Sequence, residues 1–328
     1  MKNRNTLLNF RRFSLISLAL VFVLSNMAMA QKKDIQSVNE GFKPEKVWEK
    51  FLEKNRVWID PQVDTLFYTL NIWNPQKGKE EITTSKLWLS GKKVRWETTA
   101  KFGDSNPDNQ YKFICLEDIE YCFFPDKIET RSPLLSSVNS FKQGISWYTG
   151  IHVLAKNGLP ESARIIDLKQ TENGEVLILE ADTGNKKVRT GLGLICIHFG
   201  AYTFPLHHIR LHIRIPDYLP VLEEHFNDKG EKMGQVEFGT EFIDFGEQKA
   251  PKILRYVLEG PVFNRKWSLE ARFQKINDIW LLKEGFHYTG ADIKNQAIVE
   301  NVSTQAPDPE LFEVMEPNSE NSEEKPDE

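Results

Sequence analysis

His198, His207, His208 and His212 lie close together in this chain of 328 residues, and imidazole is the commonest metal-binding side chain. If residues 206–215 form a strand, alternation puts His208, Arg210, His212 and Arg214 on one face and Ile209, Leu211, Ile213 and Ile215 on the other. Residues i and i+4 on a strand are about 13 Å apart. One ion holding each nitrogen at about 2.1 Å cannot bridge that distance, and the neighbouring arginines repel a cation. The pattern predicts a solvated polar face and no metal site. Glu223, Glu224 and His225 are residue types that do acid–base chemistry, but they alternate along a strand and are not expected to converge.

Other catalytic signatures are incomplete. Thr190-Gly191-Leu192-Gly193 begins like a dinucleotide fingerprint, yet Cys196 stands where the third glycine belongs. Gly144-Ile145-Ser146-Trp147-Tyr148 lacks the closing glycine of a nucleophile elbow. The chain has neither His-Glu-x-x-His nor a phosphate-binding loop, so neither catalysis nor a cofactor is expected. Cys115, Cys122 and Cys196 have no Cys-x-x-Cys spacing. A turn centred on Asp118-Ile119 would oppose Cys115 to Cys122 closely enough for a disulfide, and a shifted turn would not.

The elements around these residues read mainly as strands. Pro44 opens a helix in which Val47, Trp48, Phe51 and Leu52 recur at helical spacing, and Asp60-Pro61 ends it. Strands are then expected over 66–74, 83–90, 94–99, 111–116, 120–124, 163–169, 176–181, 206–215, 221–226, 236–245, 253–258, 268–273 and 279–283. Gly91-Lys92-Lys93, Asn173-Gly174 and Asp228-Lys229-Gly230 mark turns. Trp267, Leu269, Ala271 and Phe273 alternate with Lys266, Ser268, Glu270 and Arg272, so one face is buried and the other wet. Consecutive strands without intervening helices predict a curved antiparallel sheet in a mainly β protein. Leu134, Leu135, Val138, Phe141, Ile145, Tyr148 and Leu154 keep roughly helical spacing, interrupted at Gly144 and Gly150. They predict a covering helical segment near 134–156, broken or in two pieces.

The ends speak to location. Lys2, Arg4, Arg11 and Arg12, the apolar run 13–24 and Ala28-Met29-Ala30 have the three zones of a cleavable export signal. Residues 1–30 are expected to be removed after Ala30, releasing the mature chain into the periplasm. Residues 31–315 form the domain. Residues 316–328 hold six acids and one lysine, and are expected to be a disordered tail. The formal charge of −5 and the lack of a basic stripe exclude nucleic acid as a partner.

Several stretches, in order, resemble the outer-membrane lipoprotein carrier and sorting superfamily (LolA-like). They are Leu87-Trp88-Leu89 with Val94-Arg95-Trp96-Glu97, the 111–124 hairpin followed by Pro125-Asp126-Lys127, and Ile215-Pro216-Asp217-Tyr218-Leu219-Pro220-Val221 running into Glu223-Glu224. The closing Pro309-Glu310-Leu311-Phe312 completes the series. Where the carriers have an Arg-Pro pair whose arginine helps hold a lid, this chain has Gly91-Lys92-Lys93. The resemblance implies an incomplete β-barrel with covering helices, whose concave apolar face holds lipid or lipoprotein acyl chains. An envelope sensor or protein-interaction module on the same fold is the alternative. Expected cavity residues are Phe67, Leu87, Trp96, Phe113, Phe123, Phe141 and Tyr148.

Overall fold

The computed structural model describes residues 41–76, 83–99, 111–116, 119–123, 128–131, 149–190, 202–258 and 267–314. The expected signal segment, the acidic tail, the first part of the covering segment, and with them Phe141, Tyr148, Cys196 and His198, lie outside the described residues.

Helix α1 (Pro44–Ile59) forms where proline's fixed φ suits the first turn. Val47, Trp48, Phe51, Asn55, Trp58 and Ile59 line its buried side, with most of the charged residues opposite. The chain then runs through β1 (Thr65–Trp73), β2 (Thr83–Ser90), β3 (Lys93–Thr98), β4 (Tyr111–Leu116), β5 (Ile119–Phe123) and β6 (Ile128–Arg131). Helix α2 (Gly150–Asn157) precedes β7 (Arg164–Thr171), β8 (Gly174–Thr190), β9 (Tyr202–Ile215), β10 (Leu219–Phe226) and β11 (Lys232–Phe238). A separate hairpin, β12 (Phe242–Phe245) and β13 (Gln248–Pro251), leads to β14 (Ile253–Leu258), β15 (Trp267–Ile276), β16 (Ile279–Thr289) and β17 (Asp292–Ser303).

Among the described residues fifteen strands make one antiparallel sheet in the order β6-β5-β4-β3-β2-β1-β17-β16-β15-β14-β11-β10-β9-β8-β7, which does not close on itself, as expected of an incomplete barrel. β17 joins the two halves: Leu70 faces Val299 and Ile72 faces Ala297 across its ladder with β1. Among the described residues no helix is long and apolar enough to cross a membrane.

Two expectations are corrected, and one open alternative is decided. Residues 236–245 are two strands rather than one, because the chain turns after Phe238 and the Gly239 N–H bonds to the Ile253 carbonyl at 2.9 Å. β6, β13 and β17 carry weak alternation and were not expected. Two of them have four residues, and in β17 the buried Ala297 and Val299 stand among Asn295, Gln296 and Asn301. In the β4–β5 hairpin Leu116 pairs with Ile119, which opposes Cys115 to Glu120 and Cys122 to Phe113. With Leu116 paired to Ile119, the direct opposition a Cys115–Cys122 bridge requires is not formed.

Candidate functional site

The buried face of the sheet is built by cross-strand rows. One runs Tyr68–Leu87–Trp96–Phe113–Cys122 across β1 to β5, and the next runs Leu66–Leu89–Val94–Cys115–Glu120. Leu66, Leu87, Leu89, Val94 and Trp96 are all buried. The Trp96 and Phe113 rings stack with centroids 4.9 Å apart and planes at 23°. Trp96 is 2 % exposed, and its indole Nε1 has no hydrogen-bond acceptor among the described residues. A buried polar atom without a partner is costly and marks a place worth explaining.

The expected cavity residues therefore divide. Leu87, Trp96 and Phe113 come together in one inward row. Phe67 stands opposite Trp88 and Phe123 opposite Lys112, on the other face of the sheet. There Phe67 packs on Trp88 at 5.1 Å, and the Lys112 ammonium lies 4.5 Å from the Phe123 ring centre. Strict alternation excludes residues of opposite parity from one surface. The same outer face carries Arg95, which donates to the Leu311 carbonyl at 2.7 Å and pins the closing 3₁₀ turn (Pro309–Phe312).

Both helices pack over the other half of the sheet. α1 contacts β10, β13 and β16, and α2 contacts β8, β9 and β10. Asn55, fully buried, ties α1 down: its Nδ2 donates to the Phe51 and Tyr218 carbonyls at 2.8 Å, and its Oδ1 accepts from Trp58 Nε1 at 3.1 Å. A cleft of about 440 Å³ beside α1 and α2 is lined by Glu49, Glu53, Arg56 and Asp60 with Leu52, Ile59 and Ala155. Its charged rim is unlike the buried Leu87–Trp96 row.

α2 is anchored by a buried carboxylate. Glu223 Oε1 accepts from the Gly150 N–H at 2.6 Å and Oε2 from the Ile151 N–H at 3.3 Å. His225 Nε2 lies 2.5 Å from Glu223 Oε1, and neither side chain is exposed. A carboxylate at a helix N-terminus satisfies donors that the helix itself leaves unpaired. Gly150 is required there. A Cβ on it would lie 2.6 Å from Ile209 Cγ2 and 2.7 Å from Glu223 Oε1. So Gly150 does not interrupt a longer helix but begins α2. The three do not converge as a set: Glu223 and His225, two positions apart, share one face and meet, while Glu224 points the other way to His212 at 3.0 Å and Lys232 at 2.9 Å. A register shift between Pro220 and Leu222 turns Val221 outward and resets the parity of β10. Being enclosed, the Glu223–His225 pair serves as a structural anchor.

Burial pushes the Glu223 carboxyl up, but the charge and hydrogen bond of His225, with those of Thr149 and Gly150, outweigh it and hold the group below its ordinary value. Burial pushes His152 down to about 4, only partly opposed by Glu223 and the Trp58 backbone. His152 Nδ1 accepts from the Thr149 N–H at 3.1 Å, which suits a neutral ring. Between pH 6.5 and about 4 the unfolded chain binds a proton at His152 that the folded chain does not. Its contribution is therefore fully present above pH 6.5 and declines as pH falls, by at most about 1.4 kcal/mol per pH unit. Glu224, held at about 2 by its hydrogen bond to His212 and by Lys232, adds a loss below about pH 4.5. Urea midpoints at pH 7.5, 5.5 and 4.5 check this: they should fall in that order, and His152→Phe should flatten the step between the first two.

The polar face of β7 to β11 is paired rather than merely solvated. Glu180 binds Arg164 at 2.5 Å and Arg210 at 2.7 Å, and Arg214 binds Asp217 at 2.6 Å.

No protein-family model matches the chain, and no curated protein matches it. Solved structures do. A LolA superfamily protein from Nitrosomonas europaea aligns at 8 % identity with a TM-score of 0.40, covering 83 % of this chain and 98 % of its own. An outer membrane lipoprotein-sorting protein domain from Vibrio parahaemolyticus aligns at 10 % identity and TM-score 0.34, covering 81 % and 94 %. LprF from Mycobacterium bovis aligns at 6 % identity and TM-score 0.28, covering 80 % and 97 %. At these values the likeness concerns overall fold, and no residue correspondence follows from it.

Proposed function

We propose that this chain is a non-enzymatic carrier or binding protein of the cell envelope, exported to the periplasm, that takes lipid or lipoprotein acyl chains on its concave face. The observation that carries the reading is the inward Leu87–Trp96–Phe113 row, in which a buried indole N–H has no acceptor among the described residues. Each buried CH₂ of an acyl chain is worth about 0.8 kcal/mol, so a carrier needs enclosed apolar surface rather than reactive groups. The carbonyl of an acyl ester or amide is a suitable acceptor for Trp96 Nε1, which has none among the described residues.

Mass spectrometry of lipids extracted from the purified protein tests this directly. The wild type is expected to carry acyl lipid or to take up a fluorescent fatty acid. Phe113→Asp should lose it while keeping its circular dichroism, whereas burying an unpaired charge in ordinary core would unfold the chain. Trp96→Phe keeps the ring and removes the donor, so probe affinity should drop roughly 2- to 10-fold, as for one neutral hydrogen bond. If the wild type neither carries lipid nor takes up the probe, the acyl reading falls and the protein-interaction module on the same fold replaces it.

A further inference from the structure

Spacing along one strand compares His208 with His212 and excludes them as joint ligands. It does not register what the neighbouring strand does. Asp182 of β8 pairs with His208 of β9, but the next pair is Lys186 with Leu206. Residues 183–185 therefore stand opposite His207 alone, in a bulge where Gly184 has φ +71° and the Thr183 hydroxyl donates to the Leu206 carbonyl at 2.5 Å. A bulge of this kind bends the strand and re-aims side chains. Here it brings ligand atoms of Asp182, His207 and His208 within 4.8 Å of one another.

We propose that Asp182, His207 and His208 form a surface site for a divalent transition metal of the imidazole-preferring class, such as Zn²⁺ or Cu²⁺. Ligand atoms about 2.1 Å from a tetrahedral ion lie roughly 3.4 Å apart, so the three groups reach that geometry by side-chain rotation without moving the sheet. Asp182 is exposed and both histidines are partly exposed, which leaves the remaining coordination positions to water. Second contacts orient the site. The His208 ring stacks on Phe226 with centroids 4.6 Å apart and planes at 3°. The cation expected to repel a metal, Arg210, is bound to Glu180 at 2.7 Å, so its charge is countered. The charged and titratable groups that act on His208 are Glu180, Arg210, Asp182 and His207. The site sits on the outer face, away from the Leu87–Trp96–Phe113 row, and does not depend on what that row binds.

Calorimetric titration of chelator-treated protein with ZnSO₄ at pH 7.5 tests the site, with CuSO₄ in parallel and CaCl₂ and MgCl₂ as controls. One equivalent of Zn²⁺ or Cu²⁺ is expected to bind, and Ca²⁺ and Mg²⁺ are not. Asp182→Asn, His207→Gln and His208→Gln should each weaken Zn²⁺ binding tenfold or more, and His212→Gln should leave it unchanged. Because His208 packs on Phe226, the Asp182→Asn and His207→Gln variants, with unchanged circular dichroism, keep the test decisive. Lowering the pH to 5.5 should weaken binding as the imidazoles protonate. Absence of saturable Zn²⁺ or Cu²⁺ binding below about 100 µM, or binding indifferent to both Asp182→Asn and His207→Gln, overturns the proposal.

Discussion

Glu223→Leu should destabilise the folded chain by about 3–5 kcal/mol, the usual cost of removing one partner from a buried charge pair. Leucine leaves the Gly150 and Ile151 N–H groups without the acceptor they now share and strips His225 of its contact with Glu223 Oε1. None of these atoms can turn to water, because Glu223, His225 and Gly150 are all enclosed. The loss should be unequal across the molecule. Amide hydrogen exchange is expected to rise first in α2 and less in β14 to β17, since the carboxylate holds the helix to β10 and nothing else. Asp292→Asn, which weakens only a solvent-facing pair with Lys294, should shift stability by less than about 1 kcal/mol. Denaturant titrations of the two variants beside the wild type settle the matter; similar losses would show that the buried carboxylate has no special part.

Trp58→Ala should cost a similar amount, about 3–5 kcal/mol, through lost burial and the cavity left behind. Trp58 is fully buried and touches three elements: His152 of α2 at 5.7 Å, Phe238 of β11 at 5.7 Å and Trp280 of β16 at 6.1 Å. It also donates to Asn55, the residue that ties α1 to the β9–β10 turn. Removing it loosens α1 from both the other helix and the sheet. Trp58→Phe keeps most of the volume and loses the hydrogen bond, so it should cost clearly less. If α1 is part of what encloses the concave face, Trp58→Ala should also raise the uptake or release rate of a fluorescent fatty acid at temperatures where the protein remains folded. An unchanged rate would separate α1 from ligand exchange.

Much of this was legible in the residues. Ile209, Leu211 and Ile213 alternate with charged neighbours and are indeed the buried face of β9. Val47, Trp48 and Phe51 announced α1, and the Gly91-Lys92 turn joins the strands expected on either side of it. The candidate site was legible only in part. Leu87, Trp96 and Phe113 share a row, yet Phe67 and Phe123 have the same chemistry and face the other way. An aromatic residue on a strand shows that some surface covers it, not which one. Alternation puts Glu223 and His225 on one face, but does not decide which face is enclosed. The register shift beside Val221 turns an apolar residue outward and two polar ones inward, and alternation counted along one strand cannot detect it.

By itself the sequence determined the local choices: a proline-started amphipathic helix, strands of period two, and turns where glycine and asparagine permit them. Those choices depend on neighbours a few residues apart, so they are written in short stretches of chain. Tertiary structure decided which strand face is enclosed and where Cys115 and Cys122 fall in their hairpin. It also decided that Gly150 meets Glu223 across 73 positions and that Asp182 meets His207 and His208. Each of these is set by cross-strand register and by bulges, where one inserted residue redirects the side chains after it. Register is a property of two strands together, and it exists only once the sheet has formed.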